Sequence, residues 1–331
     1  LFGFAAAGCV PAAGGAGVNV ATIAFAPAQG CDVVRVASVA MEAVRGVWAV
    51  PVEVNGNRVR LIVDTGAERT LLTETAVTRV AMLRDPHHQT QTFGIGGQST
   101  TDDARVSSFA IGGVYLPVPS VTVGPFTLLS SAGATLDGLL GADILSAFDV
   151  DFDTRNGWLT LYRARDCQAA GPPWRGPFLS MGTVRRTQDR LLVPIVLDGA
   201  VGVATLDTGA QHTAISEALA GRLGVSAAVL AQDPTITARG AAADRLAVRV
   251  HRFRRLQIGP AEVTDPALPV LPIPDGLGDG LAGADFMAGR RLWLSYASLQ
   301  VFLTPLTAVP PVAMTLGAAG GNRAGAPEAV Q

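Results

Sequence analysis

Two stretches of the chain alternate apolar and polar residues around a tight turn and then run apolar into an aspartate. Val50-Pro51-Val52-Glu53-Val54, then Asn55-Gly56, then Val59-Arg60-Leu61-Ile62-Val63 has the period of two and the Asn-Gly turn that predict a β-hairpin. Val193 to Leu197, Asp198-Gly199 and Val201 to Leu206 repeat the pattern. The first run ends Asp64-Thr65-Gly66-Ala67 and the second Asp207-Thr208-Gly209-Ala210; 207 − 64 and 193 − 50 both give 143, so the runs align without a gap. Further on, Asp137-Gly138-Leu139-Leu140-Gly141-Ala142-Asp143 matches Asp279-Gly280-Leu281-Ala282-Gly283-Ala284-Asp285 at an offset of 142. One residue of drift over such a length predicts one fold used twice.

Helix-period sequence is confined to Thr73–Met82 and Ser216–Leu223, just after the Asp-Thr-Gly turns, and to Ala142–Ala147 and Ala284–Ala288 after the second motif. The remainder reads as strands and turns, which predicts an all-β protein with one short helix or two per half. Residues 31–163 form the first half and 187–304 the second. Residues 164–186, with Gly171-Pro172-Pro173 and Gly176-Pro177, have the composition of a linker, and 305–331 that of a disordered tail. Neither half carries a complete acid-base pair, so the two are expected to pack around one shared site.

A lone Asp-Thr-Gly is a weak signal, but a strand ending in Asp-Thr-Gly-Ala twice, at matched positions, is a strong one. Each half resembles a retropepsin subunit, from the family of retroviral and related bacterial aspartic peptidases, over Val44 to Tyr162 and Arg190 to Leu303. The resemblance implies a bilobal molecule of two pseudo-symmetric β-barrel halves, a monomer with an internal pseudo-dimer, acting as an endopeptidase on a peptide or protein substrate. Asp64 and Asp207 would be the catalytic pair, carried on the turns Thr65-Gly66-Ala67 and Thr208-Gly209-Ala210, with Thr65 and Thr208 cross-linking the turns. Gly141 and Gly283 would support the turns from behind, and Ile95-Gly96-Gly97 and Arg239-Gly240 would tip flaps over bound peptide. No cofactor is implied. Ala67 and Ala210 stand where many pepsin-like enzymes have a hydroxyl able to lower the pair's pKa values, so the optimum is expected in weak acid, roughly pH 5 to 6. The alternative is a peptide-binding or scaffold protein that keeps the fold without the chemistry.

Composition narrows the classes. The chain is 49% apolar and 16% charged, which excludes global disorder, and its net charge of -2 with scattered Lys and Arg speaks against a nucleic-acid partner. Arg252, Arg254 and Arg255 alternate with Phe253 and Leu256 and read as the solvent side of a strand. No Gly-x-Ser-x-Gly elbow suggests a serine peptidase, and no Cys/His spacing suggests a metal; His87-His88 follows the turn signal Asp85-Pro86. Residues 1–30 read as a signal-peptide remnant and flexible tether, in which Ala6-Ala7-Gly8-Cys9 resembles a lipobox. An exported protein follows, periplasmic or anchored to a membrane through lipidated Cys9. Cys31 and Cys167 would then be an even pair in an oxidising compartment and are expected to form a disulfide.

Overall fold

The computed structural model describes residues 32–95, 97–124, 136–165, 171–187, 189–238 and 246–306. Cys9, Cys31 and Cys167 lie outside the described residues, as do Gly96, Arg239, Gly240, the tether and all but the first two residues of the tail. Asp32 and Arg165, described residues close to the two cysteines in sequence, stand opposite each other in a sheet.

Each half curls one ten-stranded sheet around its apolar side chains. In the first half the strand order is Arg84–Gly94, Gly97–Arg105, Ser120–Gly124, Leu71–Thr73, Gly138–Leu140, Asn57–Val63, Val47–Val54, Phe109–Ile111, Val114–Leu116, with Glu42–Val44 also on Val47–Val54. In the second it is Thr235–Ala238, Leu246–Arg252, Ala267–Leu271, Ala214–Ser216, Gly280–Ala282, Ala200–Leu206, Arg190–Leu197, Arg255–Ile258, Ala261–Thr264, with Arg185–Thr187 on Arg190–Leu197. The duplication seen in the sequence is therefore matched strand for strand. Alternation decides which face is buried: in Val47–Val54 the buried Val50, Val52 and Val54 interleave with the more exposed Pro51 and Glu53.

The hairpin turns follow from their residues. Asn55 and Gly56 have φ of 51° and 74°, and Asp198 and Gly199 have 47° and 93°, the left-handed conformations that a two-residue turn between twisted strands demands. The Asn55 Oδ1 then accepts the amides of Ser107 (2.8 Å) and Ser108 (3.2 Å), and the Asp198 Oδ1 those of Arg254 (2.9 Å) and Arg255 (2.7 Å). Arg252, Arg254 and Arg255 are exposed while Phe253 and Leu256 are buried, and two of these arginines thus flank a turn rather than one strand face. Helices occupy Glu74–Arg79, Glu217–Arg222, Ala142–Leu145 and Ala284–Met287, within the helix-period segments; Thr73 and Ser216 cap the first two through their hydroxyls. Ala227–Leu230, capped by Ser226, is a further helix that periodicity over so short a run could not announce. No helix among the described residues is long and apolar enough to cross a membrane.

A third sheet joins the halves. Its six strands run Asp32–Ala40, Trp158–Arg165, Asp149–Asp153, Arg291–Ser295, Gln300–Leu303, Leu179–Gly182. At the seam Asp149–Asp153 pairs antiparallel with Arg291–Ser295, Asp151 standing opposite Trp293. The Arg291 guanidinium binds the buried Asp151 through Nε (2.9 Å) and Nη2 (2.6 Å), a fork-on-carboxylate pair across the two halves. The linker reading of 164–186 needs correction here. Leu179–Gly182 is an edge strand of this sheet, Arg185–Thr187 pairs within the second half, and Trp174 and Phe178 pack with Trp293 and Phe302 while the Trp174 Nε1 donates to Asp151. Pro and Gly mark the bends of the segment, but its apolar residues have a core to enter.

Asp149 is buried at the same seam, beside Ser295, and burial pushes its pKa up to about 6 against the hydrogen bond from Ser295. A folded-state value raised above the unfolded one gives stability that is complete below the unfolded pKa and lost as pH rises through about 6. Asp149→Asn, which has no charge to bury, is expected to match the wild type in stability near pH 4 and to exceed it by about 2–3 kcal/mol at pH 7. Denaturant titrations of both proteins at the two pH values check this.

Candidate active site

Each Asp-Thr-Gly turn begins where a buried strand runs out of partners on one side. Asn57–Val63 lies parallel to Gly138–Leu140, and the Asp64 amide donates to the Leu140 carbonyl (3.0 Å); Asp207 does the same to Ala282 (2.9 Å). The chain then reverses so that the turn's amides face the carboxylate. Oδ1 of Asp64 accepts the N–H of Gly66 (3.0 Å) and Ala67 (2.9 Å), and Oδ1 of Asp207 those of Gly209 and Ala210 (both 2.9 Å). The two turns meet face to face. A Cβ on Gly66 would fall 2.5 Å from the carboxyl carbon of Asp207, and one on Gly209 would strike that of Asp64, so glycine is required by the partner half's carboxylate.

Thr65 and Thr208 lock this arrangement. The Thr65 hydroxyl donates to the Leu206 carbonyl (2.5 Å) and accepts the Thr208 amide (3.1 Å); the Thr208 hydroxyl donates to the Val63 carbonyl (2.6 Å) and accepts the Thr65 amide (3.0 Å). Both threonines are fully buried. Gly141 and Gly283 lie directly behind the turns, where a Cβ would come 2.5 Å from the backbone of Arg69 and of His212 respectively. Sequence reasoning assigned no role to the clamp that holds them there. Asp143 Oδ1 accepts both the amide (2.8 Å) and the hydroxyl (2.7 Å) of Thr70, whose Oγ1 in turn accepts the Gly141 amide (3.0 Å); Asp285, Thr213 and Gly283 repeat it. The signal was available, since Thr70 and Thr213 are themselves repeated at offset 143 and Asp143 and Asp285 at 142.

The side chains of Asp64 and Asp207 are half-buried and face each other, each carboxyl lying against the glycine of the other turn. Burial, and then the charge of Asp207, hold the Asp64 carboxyl well above the usual range; the amides of Ala67 and Gly66 pull the other way. Burial also raises Asp207, against the amides of Ala210 and Gly209, the contact with Asp64 and the positive charge of Arg190. Such a pair retains one proton in acid too mild for an isolated carboxyl. Arg190 was not singled out by the sequence. It is buried and bound to Glu68 of the other half, Nη2 to Oε1 2.9 Å.

Arg84–Gly94 and Gly97–Arg105 form the longest hairpin of the molecule, with Gly94 opposite Gly97. From its tip Ile95, half-buried, reaches the apolar cluster of the second half, made of Ala214, Val248, Leu271, Ile273 and Leu281, against which Ala210 also packs. In the second half the corresponding strands are shorter, Ala238 pairing with Leu246, and Arg239 and Gly240 fall between them outside the described residues.

The sequence pattern of the aspartyl protease family matches residues 50–144 and again 193–286. The chain belongs to this family. The two matches bracket the two turns and the two glycine motifs behind them, so the chain contains the family unit twice. Mud1 of Schizosaccharomyces pombe, a UBA domain-containing protein, is 30% identical over 115 residues, 34% of this chain and 32% of Mud1. The chain thus matches about a third of the length of that curated relative. Among solved structures, the aspartic proteinase of Irpex lacteus aligns over 82% of this chain and 97% of its own, with 15% identity and a TM-score of 0.47.

Thr65→Val leaves the Thr208 amide and the Leu206 carbonyl buried without their partner, and is expected to destabilise the protein by about 2–4 kcal/mol. Thr65→Ser, which keeps the hydroxyl, is expected to lose less than half as much. Thr208→Val is expected to match Thr65→Val, and the double variant to fall short of the sum, because the first substitution already loosens the meeting of the turns that the other hydroxyl's bonds depend on. Chemical denaturation of the four variants beside the wild type is the check.

Proposed function

We propose that the protein is an aspartic endopeptidase that hydrolyses peptide bonds with a water molecule activated between Asp64 and Asp207. The observation that carries this reading is the facing pair of carboxyls, each lying against the other turn's glycine and held by a pair of turn amides, and both raised by burial. In the singly protonated state the ionised carboxylate takes a proton from water as its oxygen bonds to the scissile carbonyl carbon, and the protonated carboxyl gives its proton to the carbonyl oxygen. The tetrahedral intermediate collapses when the carbon–nitrogen bond breaks, the nitrogen taking a proton from one carboxyl while a hydroxyl of the intermediate returns its proton to the other, and an acid and an amine leave. The proton count of the pair is the same at the end as at the start. The hairpin carrying Ile95 is suited to cover a bound chain and keep bulk water from the reaction.

A scaffold or peptide-binding protein with this fold would retain peptides without cutting them. What favours an enzyme is that both carboxylates and both amide pairs are present; a binding role calls for neither.

Incubation with a mixed peptide library across a range of pH separates the two readings. Cleavage products are expected, with kcat/KM rising as the pair loses its first proton and falling as it loses the second, centred in weak acid at roughly pH 5 to 6. Asp64→Asn and Asp207→Asn are each expected to lower kcat at least about 1,000-fold while the protein stays folded. Retention of peptides without products, or activity surviving in either variant, would overturn the assignment.

A further inference from the structure

The two halves match strand for strand, so a charge beside one carboxylate and missing beside the other is what can make them inequivalent. Arg190 is such a charge. In the second half the pairing of Arg190–Leu197 with Ala200–Leu206 ends with Leu192 opposite Thr205, two residues short of Arg190 on one strand and of Asp207 on the other. In the first half the pairing ends with Ala49 opposite Ile62, two residues short of Val47 and of Asp64 in the same way. Arg190 and Val47 are thus counterparts, 143 positions apart like the two aspartates and equally placed at the ends of matching strands. Both are buried, each 5% exposed.

The counter-ion reinforces the difference. Glu68, which binds the Arg190 guanidinium at 2.9 Å, directly follows Ala67, whose amide holds Asp64. Its counterpart at offset 143 is Gln211, a neutral side chain that donates to the Arg45 carbonyl. The second half thus places a positive charge beside Asp207, and the first half places a negative one after the turn of Asp64. The other charged groups around the turns are occupied elsewhere. Arg69 faces Asp103 (3.6 Å) and Asp143, its counterpart His212 faces Asp285 (3.8 Å), and Asp143 and Asp285 sit equivalently behind the two turns.

We propose that the Arg190–Glu68 ion pair fixes the shared proton on Asp64 and leaves Asp207 ionised, making Arg190 and Glu68 positioning residues of an asymmetric dyad. The inference rests on the dyad reading above and deepens it: Asp207 takes the proton from water and Asp64 protonates the carbonyl oxygen. The charge balance agrees, since Asp64 is raised by burial and by Asp207, whereas Arg190 works against the rise at Asp207; the arginine feels both aspartates, Asp207 more than Asp64.

The test is a carbon-13 NMR titration of aspartate carboxyls in the full chain. Asp64→Asn isolates Asp207 and Asp207→Asn isolates Asp64, and Asp207 alone is expected to titrate lower than Asp64 alone. In the wild-type pair, Arg190→Leu is expected to raise the first ionisation by about one pH unit, whereas Glu68→Gln, which frees the arginine charge, is expected to lower it. Arg190→Lys is expected to keep it near the wild-type position. If Arg190→Leu does not fold, Glu68→Gln and Arg190→Lys decide. A general loss of packing would move both charge variants in one direction, so shifts of the same sign, no shift in Glu68→Gln, or equal titration of the two isolated aspartates would overturn the proposal. The acidic limb of kcat/KM is expected to follow the same shifts. Expected NMR shifts in a protein that cuts no peptide would leave the proton placement standing and remove the peptidase reading instead.

Discussion

Two carboxylates in contact repel one another unless they share a proton. At about 4 Å and an effective dielectric near 20 that repulsion is roughly 4 kcal/mol, enough to drive the turns apart if nothing tied them together. The reciprocal bonds of Thr65 and Thr208 are that tie, each hydroxyl donating into one half and accepting from it as well. They work because the glycines that follow leave room: the carboxyl of each half occupies the space where the other half's Cβ would be. Turns, threonines and glycines form a single constraint, and none of them has a reason to be there without the others.

The surrounding structure holds that constraint from two sides. Behind each turn, a glycine strand and an aspartate-threonine clamp fix the backbone that presents the carboxylate. Beneath both, the six-stranded sheet draws strands from each half and from the segment between them and closes its seam with the Arg291–Asp151 pair. A fork-on-carboxylate pair at a buried seam fixes how the halves meet more than it adds stability, since removing two charges from water offsets much of their attraction. That registration is what brings Asp64 to Asp207.

Carrying both halves on one chain lets them differ. The aspartyl protease unit occurs twice, yet one copy has Val47, Glu68 and a long hairpin where the other has Arg190, Gln211 and a shorter one. A symmetric assembly of identical chains would have to place each of these on both sides. Here the differences gather at the two aspartates and in the hairpins, and the framework strands stay matched.

The sequence by itself determined the duplication, the all-β character, the hairpins around Asn55-Gly56 and Asp198-Gly199 and the residues of the two turns. Those properties are local: a period of two, a turn that needs positive φ and a motif that repeats at a fixed offset are all written within a few residues of one another. Even the Thr70–Asp143 clamp left a trace, because both copies retain it. The tertiary structure alone decided the rest. That 179–182 is an edge strand and not part of a linker depends on a sheet whose other strands come from both halves of the chain. That Val47 and Arg190 stand beside the aspartates, and that Glu68 meets Arg190, depends on strand register and on how the halves face each other. Charge and proton sharing act through space over a few ångströms, and the chain separates these partners by up to 143 positions.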